Sequence, residues 1–213
     1  MKSNDKNDEL LKTALTESFI KLDQDLRNTD AVVHEVDRSG CTAVVVILTP
    51  THIICASVGD SRAVVGTLKE NNLEAVPLSE DHSPVNTLEK NRIIKAGGFV
   101  QYDRVNGELA MSRAIGDFQY KSNKKFSLNE QLVISIPDVF VHKRSKNDKF
   151  MLIACDGVFD VFSNQEAIDA VHDLYVSIDQ NESSKEQKIT AALVNSAVDK
   201  GSTDNVSAIV ISF

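Results

Sequence analysis

The run FMLIACDGVFD, residues 150–160, carries a strongly apolar stretch onto two aspartates, Asp156 and Asp160. A second run, TDNVSAIVISF at residues 203–213, opens on Asp204 and ends the sequence on apolar residues. Both read as β-strands with a carboxylate at one end. A carboxylate at the edge of an apolar core is costly unless its charge is compensated. A bound cation compensates it, and a hard cation such as Mg²⁺ or Mn²⁺ prefers oxygen ligands. The pattern therefore points to a metal site on strand ends. Asp160 follows Asp156 at helical spacing, so both could face one site if the turn is helical.

Taken one at a time, these segments also suit plain turns. Asp156-Gly157 and Thr203-Asp204-Asn205 have turn chemistry, and Gly59-Asp60-Ser61-Arg62 reads as a hairpin connection with a local Asp–Arg pair. The set of four, Asp60, Asp156, Asp160 and Asp204, all at strand ends or turns, makes the metal-binding candidate. His82, in EDHSP at residues 80–84, has no partner at metal-ligand spacing and reads as a hydrogen-bonding loop residue. No His-x-His, HExxH, GxSxG or P-loop pattern occurs, so spacing gives no support to a serine or cysteine nucleophile.

Outward from these runs, Leu11, Leu15, Phe19, Leu22 and Leu26 recur at helical spacing and predict an amphipathic helix from about Glu9 to Arg27. Strands are expected at Thr42–Leu48, His52–Val58, Arg62–Leu68 and Leu73–Leu78, with short turns favouring an antiparallel meander. Asn86 followed by Glu89 resembles a capping pattern for a helix over Thr87–Ala96 that stops at Gly97-Gly98. Phe99 to Leu132 reads as an irregular surface segment with one short helix. Strands at Val139–His142 and Lys149–Cys155 precede a helix whose capping box is Ser163 and Glu166. After a polar loop at Asp179–Ser183, a third helix runs to about Lys200 and stops at Gly201, and a strand follows at Val206–Phe213. Few helices and mostly consecutive strands predict an α+β fold in a single domain over residues 1–213.

Composition fits one globular domain, with 42% hydrophobic and 25% charged residues. A formal net charge of -8 argues against a general nucleic-acid binder, which needs clustered Lys and Arg. The basic run His142-Lys143-Arg144 with Lys146 and Lys149 contains Asp148 and reads as a solvated loop between strands. Cys41, Cys55 and Cys155 lie in or beside apolar runs without CxxC spacing, as reduced, buried small hydrophobes would. No signal-peptide core follows Met1, and the apolar runs are too short to cross a bilayer. A soluble monomer of the cytoplasm or nucleus, without membrane or nucleic-acid partners, is expected.

The blocks SGCTAV (39–44), ASVGDSRAV (56–64), EDHSP with LEKNRIIKAGG (80–98), RVNGELAMSRAIGD (104–117), EQLVISIPDV (130–139), ACDGVFDVFS (154–163) and GSTDNVSAIV (201–210) stand in the order found in one family. In these blocks the sequence resembles the metal-dependent serine/threonine protein phosphatases of type 2C. The resemblance implies a β-sandwich flanked by helices, with a two-metal site at one end. It implies that Asp156 and Asp204 are metal ligands and that Asp60 and Asp160 serve a further, weaker metal position. The cofactors implied are two Mg²⁺ or Mn²⁺ ions with a third weaker one, and the substrates are phosphoserine and phosphothreonine in proteins. A metal-activated water would do the hydrolysis, and the segment from about Gly107 to Leu132 would include a flap beside the site.

The resemblance also implies parts that this sequence does not carry. The family's phosphate-binding arginine, its glutamate-aspartate pair and its DGHxG block, with a bridging aspartate and a general-acid histidine, have no counterpart before the first helix. No catalytic residue is thus identifiable, and the sequence reads as the C-terminal, larger part of such a domain: a truncated gene product, a shortened isoform or a degenerate member. Little activity is expected from residues 1–213 alone. The alternative is a non-catalytic pseudophosphatase acting as a binding or regulatory module. A metal-dependent nuclease would also cluster carboxylates, but the acidic charge counts against it.

Overall fold

A computed structural model describes residues 3–179 and 184–213. The elements in chain order are α1 (Ser3–Arg27), α2 (Asp30–Val33), β1 (Gly40–Cys41), β2 (Ala43–Leu48), β3 (His52–Val58), β4 (Arg62–Lys69) and β5 (Asn72–Pro77). Then come α3 (Thr87–Lys95), β6 (Val100–Gln101), β7 (Arg104–Val105), β8 (Ile115–Gly116) and a 3₁₀ turn at Phe118–Lys121. The remainder comprises β9 (Asp138–Lys143), β10 (Asp148–Ala154), α4 (Asp156–Phe159), α5 (Asn164–Ser177), α6 (Lys185–Asp199) and β11 (Ala208–Ser212). The mixture is α+β. Of the loop expected at Asp179–Ser183, residues 180–183 lie outside the described residues.

The strands form a four-stranded sheet in the order β11-β10-β4-β5, a three-stranded sheet β2-β3-β9, and two short pairs, β1-β8 and β6-β7. The expected meander is therefore broken. β4 and β5 pair as predicted, but β3 belongs to the three-stranded sheet, so Gly59-Asp60-Ser61 links two sheets and is no hairpin turn. Gly59 makes this link possible: it adopts φ +98°, and a Cβ there would lie 2.2 Å from the Thr42 methyl.

The chain divides into two compact units. One comprises Val46–Cys55, Ser61–Ser79 and Val141–Phe213. Its four-stranded sheet is antiparallel throughout, with Leu152 opposite Val210 on one side and Val64 on the other. Alternate residues Phe150, Leu152 and Ala154 join Val64 and Val210 in a core completed by Ile168, Val171, Ile189 and Leu193 of α5 and α6. α5 starts at the capping box that the sequence predicts, with the Ser163 hydroxyl accepting the Glu166 N–H at 3.2 Å and Glu166 returning to the Ser163 N–H at 2.8 Å. Asp148, within the basic run, is buried and not solvated. It accepts from the Thr67 hydroxyl at 2.9 Å and the Ser145 N–H at 2.8 Å, and meets His142 Nε2 at 3.1 Å.

The other unit comprises residues up to Val45, Ala56–Asp60 and Glu80–Phe140. On α1 the buried stripe is Leu15, Phe19 and Asp23, whereas Leu22 and Leu26 are exposed. Asp23 takes its place in the stripe because its carboxylate accepts the Gly116 N–H at 2.8 Å and pairs with buried Lys121 at 2.7 Å. The segment expected as an irregular surface is partly core, since Val105, Ala114 and Tyr120 pack with Ile93 and Val133. The predicted cap of α3 is absent as well. Asn86 makes no side-chain cap and its amide donates to the Asp81 carbonyl at 2.8 Å. Glu89 instead turns inward, accepting from Ser112 at 2.5 Å and pairing with Arg92 at 2.6 Å and Arg113 at 2.8 Å.

The cysteines are all free, but only Cys55 is buried, its thiol pushed up to about 12 by desolvation; Cys41 is exposed and Cys155 partly so. No helix among the described residues is long and apolar enough to cross a membrane.

Candidate metal centre

β10 and β11 run antiparallel, with Ala154 opposite Ala208. The pairing carries one step further, as the Cys155 N–H donates to the Ser207 carbonyl at 3.1 Å. Past that point β10 turns into α4, with Cys155 extended as its N-cap and Asp156 as its first residue. The last turn before β11 holds Asp204. Antiparallel register thus brings the two sequence-predicted aspartates to the same end of one sheet.

Close packing fixes the two segments against each other. A Cβ on Gly157 would lie 2.6 Å from the Asn205 carbonyl oxygen and 3.2 Å from the Val206 side chain, so only a bare glycine lets this loop approach. The Cys155 thiol donates to the Asn205 carbonyl at 3.2 Å, and its sulfur accepts the Ser207 N–H at 3.2 Å. Each aspartate is oriented by the amide that follows it: Gly157 N–H on Asp156 Oδ1 at 2.9 Å, Asn205 N–H on Asp204 Oδ1 at 2.6 Å.

The electrostatics at Asp156 are those of a partly buried carboxylate facing other carboxylates. Burial pushes the Asp156 carboxyl above its ordinary value, and the negative charge of Asp204 adds to that. The Gly157 N–H opposes the shift and Asp160 reinforces it. Asp160 closes the single turn of α4, its N–H donating to the Asp156 carbonyl at 2.8 Å, so the helical spacing read from the sequence is real. Hard oxygen donors with mutual repulsion suit a divalent cation of the Mg²⁺ or Mn²⁺ type. Among the described residues, no group of three or more His, Cys, Asp or Glu side chains is close enough to hold a metal by itself.

Asp60 lies in the other compact unit, at the half-buried end of the Gly59 turn. Arg62, read from the sequence as its local partner, donates to Asn164 at 3.0 Å and lies 4.8 Å over the Phe159 ring.

Sequence reasoning missed a polar network in that unit. His82 is 3% exposed, meets Gly59 through Nδ1, and contacts Asp138 through Nε2 at 3.2 Å. Asp138 also pairs with Arg113 at 2.7 Å, and Arg113 continues to Glu89. The His82 contact, and the charge of Arg113 opposing partial burial, hold the Asp138 carboxyl down at about 2. Its members are scattered from residue 82 to 138, so no local spacing marks them. The one local signal is Arg113, an ionic residue between Ala110-Met111 and Ala114-Ile115.

Comparison with known proteins gives this geometry a family. The profile of the family described as Protein phosphatase 2C matches residues 1–206. Rat "Protein phosphatase 1B" is 40% identical over 206 residues, covering 96% of this chain and 50% of its own. "Protein phosphatase 2C homolog 2" of Saccharomyces cerevisiae is 44% identical over 165 residues, covering 76% of this chain and 34% of its own. The chain thus spans about half or less of the length of these relatives. Among solved structures, a Caenorhabditis elegans sex-determining protein superposes with a TM-score of 0.76 at 27% identity, over 93% of this chain and 46% of its own. The serine-threonine phosphatase 2C of Toxoplasma gondii superposes with a TM-score of 0.78 at 23% identity, over 100% of this chain and 71% of its own, a likeness of fold. With residues 1–206 matched by the family profile and 96% of its length aligned to a relative at 40% identity, the chain belongs to the protein phosphatase 2C family.

Proposed function

We propose that this chain supplies the Asp156–Asp204 side of a metal-dependent centre that hydrolyses phosphoserine and phosphothreonine in proteins. The observation that carries the proposal is the meeting of these two carboxylates at one sheet end, where burial and mutual repulsion raise the proton affinity of Asp156. Asp60 and Asp160 are proposed for a further, weaker metal position, within a single phosphatase-like domain. Bound Mg²⁺ or Mn²⁺ supplies Lewis acidity and lowers the pKa of a coordinated water. The chain's own part is to hold oxygen donors rigidly: the Gly157 and Asn205 amides aim the carboxylates, and the Cys155 thiol brackets the loop beside Asp204. In the net reaction, water adds to phosphorus, the ester P–O bond breaks, and the serine or threonine oxygen leaves with a proton. Phosphorylated proteins are the proposed partners, and the cytoplasm or nucleus the proposed location of a monomer.

Because the chain spans half of its relatives, the test uses both residues 1–213 and any longer protein that contains them. Hydrolysis of p-nitrophenyl phosphate by the longer protein is expected to require Mn²⁺ and to fall by about 100-fold in Asp156→Asn or Asp204→Asn. Residues 1–213 alone are expected to bind Mn²⁺ and turn over little. Mn²⁺-dependent turnover that survives Asp156→Asn unchanged would overturn the assignment. An inactive longer protein that still binds phosphoproteins would favour the pseudophosphatase reading.

A further inference from the structure

We propose that His82 is a positioning residue for the Gly59–Asp60 turn, acting as the neutral Nε2–H tautomer aimed by Asp138. The role rests on the reading of Asp60 as a metal ligand; the tautomer does not.

The argument begins with the buried Gly59 peptide group. Its carbonyl already accepts the His82 backbone N–H at 2.9 Å. Its own N–H points at His82 Nδ1 at 3.1 Å, and Nδ1 is also 3.2 Å from the Gly59 carbonyl. A proton on Nδ1 would face the Gly59 N–H and leave that buried donor without an acceptor, which is costly. With the proton on Nε2, Nδ1 accepts from Gly59 and Nε2–H donates to Asp138 Oδ2 at 3.2 Å, so every group is satisfied.

The rest of the network makes this arrangement rigid. Asp138 Oδ1 is held by Arg113 Nη1 at 2.7 Å, and Arg113 donates to the Ile136 carbonyl at 3.0 Å and to Glu89 Oε1. Ser112 closes the circuit, its N–H donating to the His82 carbonyl at 2.9 Å and its hydroxyl to Glu89 Oε2 at 2.5 Å. Thr42 fills the space that a Cβ of Gly59 would need. The peptide before Asp60 is therefore clamped by a ring nitrogen whose orientation is set four side chains deep. Such outer contacts fix the geometry of a ligand without touching the metal.

The test uses ¹⁵N-labelled residues 1–213 and Mn²⁺ as the probe. Long-range ¹H–¹⁵N spectra are expected to show His82 with its proton on Nε2, and a coupling across the hydrogen bond from Gly59 N to Nδ1. A proton found on Nδ1 overturns the proposal, and this measurement needs no substitution. His82→Asn keeps an acceptor near the Nδ1 position, whereas His82→Gln places its amide near Nε2 and leaves Gly59 unmet. Mn²⁺ broadening of the Asp60 amide is expected to need about tenfold more metal in His82→Gln, and to stay within about threefold of wild type in His82→Asn. Equal behaviour of the two variants overturns the positioning role. If Mn²⁺ leaves the wild-type Asp60 amide sharp, the ligand reading of Asp60 is what fails. The clamp is then decided by the Gly59 amide shift, expected to move in His82→Gln and to hold in His82→Asn.

Discussion

At the scale of single residues, Gly157 has no room for a side chain. Its Cα faces the Asn205 carbonyl, and an added Cβ would sit at 2.6 Å from backbone that cannot rotate aside. Gly157→Ala must therefore push the 204–206 loop away and separate Asp204 from Asp156. Mn²⁺ affinity measured by titration calorimetry is expected to fall about tenfold while the chain stays folded. Unchanged affinity would mean that the contact does not hold Asp204 in place. Cys155 gives a contrasting case, since its thiol both donates and accepts across the same loop. Cys155→Ser keeps both roles and is expected to bind Mn²⁺ within about threefold of wild type, while Cys155→Ala loses both and weakens binding further.

At the scale of elements, the turn joining β9 to β10 is held by one carboxylate. Burial pushes Asp148 up, but the Ser145 N–H, the Thr67 hydroxyl and His142 outweigh it and hold the group below its ordinary 3.8. A depressed folded-state pKa contributes stability that is complete above the unfolded value and is lost as pH falls through the folded one. Asp148→Asn is expected to cost about 1.5–3 kcal/mol at neutral pH. The gap from wild type should close as urea unfolding is repeated from pH 5 down through 3.8 and below. A gap independent of pH would mean that packing, not charge, is lost. Elsewhere, the elements that the sequence predicts well are those with local causes. Ser163 and Glu166 lie three residues apart and cap α5 as the pattern requires. The bounds of β3, from His52 to Val58, follow an apolar run between turn residues. Where the cause is distant, the sequence misleads. Glu89 has the spacing of a capping residue, yet it serves Arg113 and Ser112, more than twenty positions away. Leu22 completes a helical stripe on paper, yet Asp23 is the buried residue because Lys121 and Gly116 lie opposite it.

At the scale of the whole molecule, the candidate metal ligands were legible because each stands in a contiguous block beside an apolar strand. The sheet partition was not, because nothing local tells a hairpin from a link between sheets at Gly59-Asp60-Ser61. The whole chain also carries a net charge of -8, so any cation raises its stability somewhat by screening. Specific binding must therefore be separated from that background. A ligand held only by the folded state stabilises it by about 2.7 kcal/mol at a hundredfold excess over Kd, roughly 5–10 °C in Tm for a chain of this length. Mn²⁺ is expected to raise the Tm of residues 1–213 by that amount above sodium chloride at matched ionic strength. Asp156→Asn and Asp204→Asn should lose the excess and keep only the salt effect. Asp156→Asn should also leave the metal-free chain as stable as wild type or slightly more so, because it removes a partly buried charge repelled by Asp204 and Asp160. A Tm that responds to Mn²⁺ and sodium alike in all three proteins would mean that these carboxylates hold no metal in this chain. A metal-free Asp156→Asn far less stable than wild type would mean that Asp156 is there to support the turn and not to bind.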